Sequence, residues 1–390
     1  MSTYSNIWKL YVIKGLKWFM VIMPIVVLFF QENGLTLQEV MILQGMYSFM
    51  VAIMEIPSGY FADVFGRKNT LVFGAIFCFL GFLIISLSFN FWYFFIGEII
   101  LGIGSSFVSG ADSAILYDSL AENKKEKEYT KVEGISYGIG NFSEAIAGIC
   151  GGLLAEISLR LPWQVQVIVA ALIIPFTLLL VEPKIHQDNK LSKSFKAIWG
   201  VVKFSLVENK ILKWLILLSS AVGFATLSLA WFAQPYFKSI DMPLKYFGFV
   251  WAFLNLTTGF SSINAYRLER FLSKNSFLVL ISIGISVPLI LLSKSSAMVG
   301  LVMIFIVYLF RGLGTPIMRR YINDITPSNM RATVLSLRRF CVRSTFAIIA
   351  AIMGWIADAY SLAQSFLLVG MIVGVIAVLA SVKLKRLSDN

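Results

Sequence analysis

The chain has 390 residues, of which 58% are hydrophobic and 14% charged, with a formal net charge of +12. Soluble domains are about 45–50% apolar, so this composition calls for lipid as solvent and excludes a soluble globular domain. The three cysteines lie in apolar runs without a Cys-x-x-Cys pair, and the single histidine, His186, sits in a polar stretch, so neither a disulfide framework nor a metal site is expected.

Long apolar segments predict spanning helices over 7–30, 36–57, 70–89, 91–119, 132–156, 162–181, 211–236, 244–266, 275–293, 297–322, 333–357 and 363–384. A barrel's alternating pattern is missing, and a helix satisfies its own backbone in lipid. The first segment carries Lys9, Lys14 and Lys17 and lacks a small-residue cleavage site, so it reads as a span and not as a leader. Lys14 and Lys17 are compatible with snorkelling to the interface or with facing a cavity, and both readings stay open.

Between the second and third spans stands Gly59-Tyr60-Phe61-Ala62-Asp63-Val64-Phe65-Gly66-Arg67-Lys68, a short charged turn bracketed by glycines. Gly59, Asp63, Gly66, Arg67 and Lys68 match the pattern Gly-x-x-x-Asp-x-x-Gly-Arg-Lys/Arg. In residue types, spacing and position this loop resembles the one between helices two and three of the major facilitator superfamily of secondary transporters. The resemblance extends along the whole chain and implies an all-α membrane protein of twelve transmembrane helices in two pseudo-symmetric six-helix bundles. The expected division is 1–181 for the first bundle, 182–210 for a connector and 211–390 for the second.

In the fourth span Glu98, Gly102, Ser105, Ser109 and Asp112 recur on one helix face, with Glu98 near the end of the span. Glu133, Tyr137, Asn141 and Glu144 form a second polar stripe in the fifth. The connector is lysine-rich, and Phe195, Ile198, Val202 and Leu206 recur there at helical spacing, which predicts an amphipathic helix on the membrane surface. Tyr308, Arg311 and Thr315 share a face of the tenth span, and Arg338, Arg339 and Arg343 cluster in the eleventh. Ionisable residues within spans are costly and mark interior or wet surfaces, so these are the candidate functional groups.

Lysine and arginine concentrate on one set of turns, which predicts that both termini face the cytoplasm. The positive charge thus tracks the membrane surface, and no nucleic-acid partner is expected. The halves repeat: Tyr60-x-x-Asp63 with Lys68-Asn69 has a counterpart in Tyr266-x-x-Glu269 with Lys274-Asn275, and Tyr117-Asp118 in Asn323-Asp324, at a common offset of 206 residues. Gly152-x-x-Ala155-Glu156 and Gly354-x-x-Ala357-Asp358 recur in the fifth span of each half.

The resemblance implies roles for these residues. Asp112 and Arg311 would face a central cavity. Glu55 and Asp63 would approach Arg338 or Arg339, and Asp118 would join Arg67, as a conformational gate. Asp112 and Glu144 are the proton-coupling candidates; Ser105, Ser109, Tyr308, Arg311, Arg343 and Trp231 are the substrate-cavity candidates. Two departures stand against an ordinary proton-antiport signature: Glu98 occupies a position that family exporters often give to arginine, and Ala147-Gly148-Ile149-Cys150-Gly151-Gly152 lacks the proline of Gly-Pro-x-x-Gly-Gly.

The expected function is alternating-access transport across the cytoplasmic (inner) membrane, driven by a proton or other ion gradient and without a cofactor. Export of amphipathic small molecules, either drugs or a secreted metabolite, is the first reading. Transport of a dedicated anionic metabolite or siderophore on cavity arginines is the second, and a non-transporting sensor on the same scaffold a remote third. The sequence lacks a phosphate-binding Gly-x-x-x-x-Gly-Lys-Ser/Thr loop and the common hydrolase motifs, so no enzyme is expected. A monomer suffices for the mechanism.

Overall fold

The computed structural model describes residues 3–183, 195–295, 297–327 and 330–388. Among them the regular structure is helical, with no strand. The α-helices are α1 (Asn6–Trp18), α2 (Val26–Glu32), α3 (Leu37–Phe65), α4 (Arg67–Leu87), α5 (Phe91–Glu122), α6 (Tyr129–Ala155), α7 (Leu161–Leu178), α8 (Phe195–Lys203), α9 (Lys210–Ser239), α10 (Leu244–Glu269), α11 (Lys274–Leu292), α12 (Ala297–Asp324), α13 (Arg331–Ala359) and α14 (Leu362–Ser388). Ten of these, α3 to α7, α9 and α11 to α14, are long and apolar enough to cross a membrane.

Two expected spans differ. The segment 7–30 is two short helices, because Pro24 has no N–H to donate and its ring obstructs the carbonyl four residues earlier. The segment 244–266 is one helix, α10, but Asn255, Thr257, Thr258, Ser261, Ser262 and Asn264 dilute its apolar character. Thr257 and Ser261 turn their hydroxyls back on the carbonyls of Phe253 and Thr257, at 2.9 and 2.8 Å, so the helix carries them without leaving donors unpaired.

The chain divides into two compact units. Unit 1 is Met1–Leu35, Met46–Ser192 and Met242–Ala252; unit 2 is Thr36–Gly45, Lys193–Asp241 and Phe253–Asn390. In unit 1, α4 packs closely along α5. Small residues permit this: a Cβ on Gly74 would come 2.6 Å from the Val108 side chain, and one on Gly104 would come 2.7 Å from the Cys78 nitrogen. Beyond the α1 break, Phe29, Phe30, Phe94 and Trp163 are fully buried together, with Phe30–Phe94 and Phe29–Trp163 ring centroids 5.0 Å apart.

Polar clamps close both ends of unit 1. Asn6, fully buried, donates to the Ser119 hydroxyl and the Val181 carbonyl at 2.9 and 2.7 Å and accepts from the Val181 N–H at 2.9 Å. Lys9 donates to the Leu179 carbonyl at 2.8 Å, where a cation meets the C-terminal end of α7. At the other end Arg160 donates to the carbonyls of Ser86 and Ser88 (2.6 and 3.0 Å) and to the Asn33 side chain (2.6 Å). Its guanidinium also lies over the rings of Phe89 and Phe29.

In unit 2, α9 is the most enclosed helix and packs against α12, α13 and α14, while α11 packs against α12 and α14. Of the expected connector, 184–194 lies outside the described residues, His186 included. Its described part holds Glu182 and Pro183, then α8 and a single wide turn at Phe204–Glu208, with Trp199 and Val207 exposed and Lys203 paired to Glu208 at 3.2 Å.

Candidate functional site

Lys14 and Lys17 are three apart in α1 and therefore share a face. Both ammonium groups meet the same oxygen of Asp112 on α5, at 3.1 and 3.3 Å. The side chains are 13%, 26% and 12% exposed respectively, so the cluster is sheltered but touches open space. The second Asp112 oxygen accepts the Ser113 N–H at 2.8 Å, and the Ser113 hydroxyl donates to Glu133 on α6 at 2.9 Å. These groups, with Leu10, Ile13, Leu116 and buried Ser136, line a cavity in which a water-sized sphere has about 10 Å³ to move, enough for a single water. Two cations and two carboxylates balance, which is what holds four ionisable groups at this depth.

The lysines owe their position to the break beyond them in α1. After Trp18 the chain makes a tight turn in which the Met20 N–H donates to the Trp18 carbonyl at 2.8 Å. The Val21 N–H, left without a helical acceptor, donates to the buried side chain of Gln166 on α7 at 3.0 Å. Gly151 of α6 presses against the Val21 carbonyl so closely that any Cβ would overlap it. Irregular backbone within a membrane is tolerated where protein encloses it, and α6 and α7 supply that enclosure. Lys17 thus stands in the last turn of α1, where a positive charge is favoured.

The charged loop motif is more compact than its sequence implies. Helix α3 continues through Pro57 to Phe65, α4 starts at Arg67, and Gly66 alone connects them. Its φ of 92° is a conformation that favours glycine. The N-terminus of α4 is capped from a distance: Glu182 accepts the N–H groups of Arg67 and Lys68 at 2.7 and 2.6 Å. The Arg67 side chain pairs with Asp118 near the end of α5, at 3.0 Å. Asp63 lies exposed near the end of α3, and Gly59 faces open space.

Unit 2 repeats this arrangement with the charges exchanged. Glu269, at the end of α10, accepts from the Tyr321 hydroxyl at 2.9 Å and pairs with Arg320 at 3.3 Å. The turn after the second helix of each half is therefore tied to the end of the fourth, by Arg67–Asp118 in one and Glu269–Arg320 in the other.

The remaining candidates separate. Ser105 accepts from Tyr47 at 3.1 Å, Ser109 turns to the carbonyl of Ser106 in its own helix, and Glu98 is buried despite its place near the end of α5. Glu144 and Glu55 are half-buried. In unit 2, Arg311 lies 5.4 Å from the centre of the Tyr308 ring, and Tyr308 is fully buried. Arg338 donates to Ser219 on α9, Arg339 donates to Ser336 at 3.0 Å, and Arg343 is half-buried. Trp231 on α9 carries a buried indole N–H without a hydrogen-bond partner among the described residues. Asp112 belongs to unit 1 and Arg311 to unit 2; Glu55 and Asp63 likewise belong to unit 1, and Arg338 and Arg339 to unit 2. Sequence reasoning missed Glu182, Gln166 and Arg160. Pro24 was a visible signal for the α1 break, but nothing local singles out Gln166, which receives the Val21 N–H beyond it, or Glu182 and Arg160, whose partners are equally distant in the chain.

The sequence model of the Major Facilitator Superfamily matches residues 8–308. The chain belongs to this superfamily. Among its relatives, the MFS-type transporter YxaM of Bacillus subtilis (strain 168) is 23% identical over 94% of this chain and 92% of that protein. The class H tetracycline resistance protein of Pasteurella multocida is 28% identical over 39% of this chain and 36% of its own length. The crystal structure of the nucleoside transporter NupG superposes with a TM-score of 0.81 at 12% identity, covering 99% of this chain and 100% of that one. A D-xylose–proton symporter superposes at 0.77 with 14% identity and 97% of each chain. These structural likenesses establish the fold. The protein is a multi-pass membrane transporter and not an enzyme.

Proposed function

We propose that this superfamily member is a proton-coupled secondary transporter that exports amphipathic small molecules across the cytoplasmic membrane, with both termini cytoplasmic. The observation that carries the reading is the Lys14–Asp112–Lys17 cluster beside Glu133. A carboxylate in a poorly hydrated span stays ionised only while counter-charges stay with it. Both counter-charges of Asp112 ride on one short helix that ends at a break. Displacing α1 from α5 removes both at once, and the carboxylate then takes up a proton; returning α1 expels it. Glu133, linked through Ser113, is the second acceptor within the cluster, and Glu144 lies further along the same helix.

Export is supported by the relative named for tetracycline resistance. An amphipathic ligand is supported by Trp231, which combines an apolar ring with a spare N–H donor. Everted vesicles with an imposed proton gradient, acid inside, test the reading. The parent is expected to accumulate a fluorescent amphipathic dye, cationic or anionic, in a gradient-dependent manner. Asp112→Asn is expected to abolish that accumulation while leaving exchange at equal concentrations. Accumulation by Asp112→Asn equal to the parent's would refute the role of Asp112.

A second reading, transport of a dedicated anionic metabolite, is favoured by Arg311 and Arg343, which form no ion pair with any described residue. It predicts that Arg311→Gln abolishes transport altogether, whereas broad export tolerates the change for neutral substrates.

A further inference from the structure

Unit 2 carries more positive charge in its helices than its own acids neutralise. Glu269 and Asp324 both engage Arg320, at 3.3 and 3.8 Å. Glu208 holds Lys203, and Glu39 accepts from Thr36 at the start of α3. Asp358 accepts the N–H groups of Leu37 and Gln38, at 3.1 and 2.7 Å. Asp241 is exposed in the turn after α9. The described acids of the unit are thus engaged by other groups or, for Asp241, exposed in a turn, and Arg311, Arg319, Arg338 and Arg343 have no ion pair among the described residues.

Arg338 is the most informative of these. Its side chain leaves α13 for α9, where one guanidinium N–H donates to Ser219, a fully buried residue. That is its only hydrogen bond to a described residue. Arg319 and Arg339 add to the positive potential around it. Ser220, next along α9, is 4% exposed, and its hydroxyl has no hydrogen-bond partner among the described residues. A guanidinium presents five N–H donors in a planar fork, of which Ser219 uses one. A cation drawn toward the interior beside like charges is unfavourable until an anion joins it, and the fork matches the paired oxygens of a carboxylate, sulfonate or phosphate.

We propose that Arg338 and Ser219 form an anion-binding site in unit 2 that takes the acidic end of a small organic molecule. Arg338 supplies charge and two parallel donors, Ser219 fixes the guanidinium plane, and Arg319 and Arg339 raise the local concentration of anions. The site depends neither on the direction of transport nor on proton coupling, so its test needs no gradient.

The test measures the thermal stability of the full-length purified protein in detergent against a concentration series of salicylate. Salicylamide is the neutral analogue, and sodium chloride controls for ionic strength. A ligand that binds the folded state raises the midpoint in proportion to its occupancy. Salicylate is expected to raise it and salicylamide to leave it unchanged. Arg338→Gln is expected to weaken the apparent salicylate affinity roughly tenfold or more, as loss of a charge-assisted hydrogen bond does. Ser219→Ala should weaken it about fivefold and Arg338→Lys to an intermediate degree, while Arg386→Gln, exposed near the C-terminal end of α14, keeps the parent's affinity. If Arg338→Gln does not fold, Ser219→Ala and Arg338→Lys decide. Equal responses to salicylate and salicylamide, or parental salicylate affinity in the variants, would overturn the site.

Discussion

Replacing Asp112 by asparagine removes one negative charge from beneath two ammonium groups and leaves them facing each other. Lys14 and Lys17 approach the same oxygen at 3.1 and 3.3 Å, and all three side chains are at most 26% exposed. Breaking a buried ion pair costs about 3–5 kcal/mol, mostly from the charge left behind; the residual exposure here places Asp112→Asn near the lower end, about 3 kcal/mol. Lys14→Gln alone leaves the Lys17–Asp112 pair and should cost about 1 kcal/mol. In the double variant one lysine remains against a neutral partner, and the loss should be about 2 kcal/mol. The sum of the single losses is about 4, so the cycle gives a coupling near 2 kcal/mol. Unfolding by SDS titration of the three variants measures it. Gradient-driven accumulation should stay absent in the double variant despite its partly recovered stability, which separates the coupling role from the structural one. A coupling below about 0.5 kcal/mol would mean that water screens the cluster, and the case for α1 as the carrier of Asp112's counter-charges would fail.

The other predictions concern the supports of the site. Glu182→Ala removes both acceptors that cap α4, worth about 2 kcal/mol together with the helix dipole, so amide exchange at Arg67 and Lys68 should accelerate roughly 30-fold; a change below threefold refutes the cap. Gly151→Ala should destabilise the fold although alanine is the better helix former by about 1 kcal/mol, because its methyl would occupy the position of the Val21 carbonyl; unchanged thermal stability would show that the α1 break yields. Arg160→Gln should cost about 2–3 kcal/mol in the same SDS assay by releasing the carbonyls of Ser86 and Ser88, and a loss under about 0.5 kcal/mol would mean that water replaces it there.

Some of this was fixed by one-dimensional pattern. Hydrophobic length alone identifies a multi-pass helical membrane protein, because a span must be apolar over about 20 consecutive residues whatever its neighbours do. The charged loop at 59–68 was legible for a similar reason: glycine, aspartate and arginine at fixed spacing within one turn form a local object. The repeat of Tyr60–Asp63 in Tyr266–Glu269 was legible too, although only the structure reveals that each turn is tied to the end of the fourth helix of its half, with the charges exchanged. Asp112 was legible as an ionisable group within a span, and so were Lys14 and Lys17, although the sequence left the lysines between lipid interface and cavity.

Tertiary structure decided which partners those residues meet. Lys14 and Asp112 are 98 positions apart, Val21 and Gln166 145, and Arg67 and Glu182 115. No periodicity spans such separations, because the pairings depend on which helices lie side by side and how far each is rotated about its axis. The break after Trp18 sets that rotation for α1. Pro24 gives a reason for helix to stop, but a Val21 N–H without a helical acceptor and the close approach at Gly151 are tolerated only because α6 and α7 lie alongside to receive them. The chain's composition thus chose its solvent and its helices, and the packing of those helices chose which charges would meet.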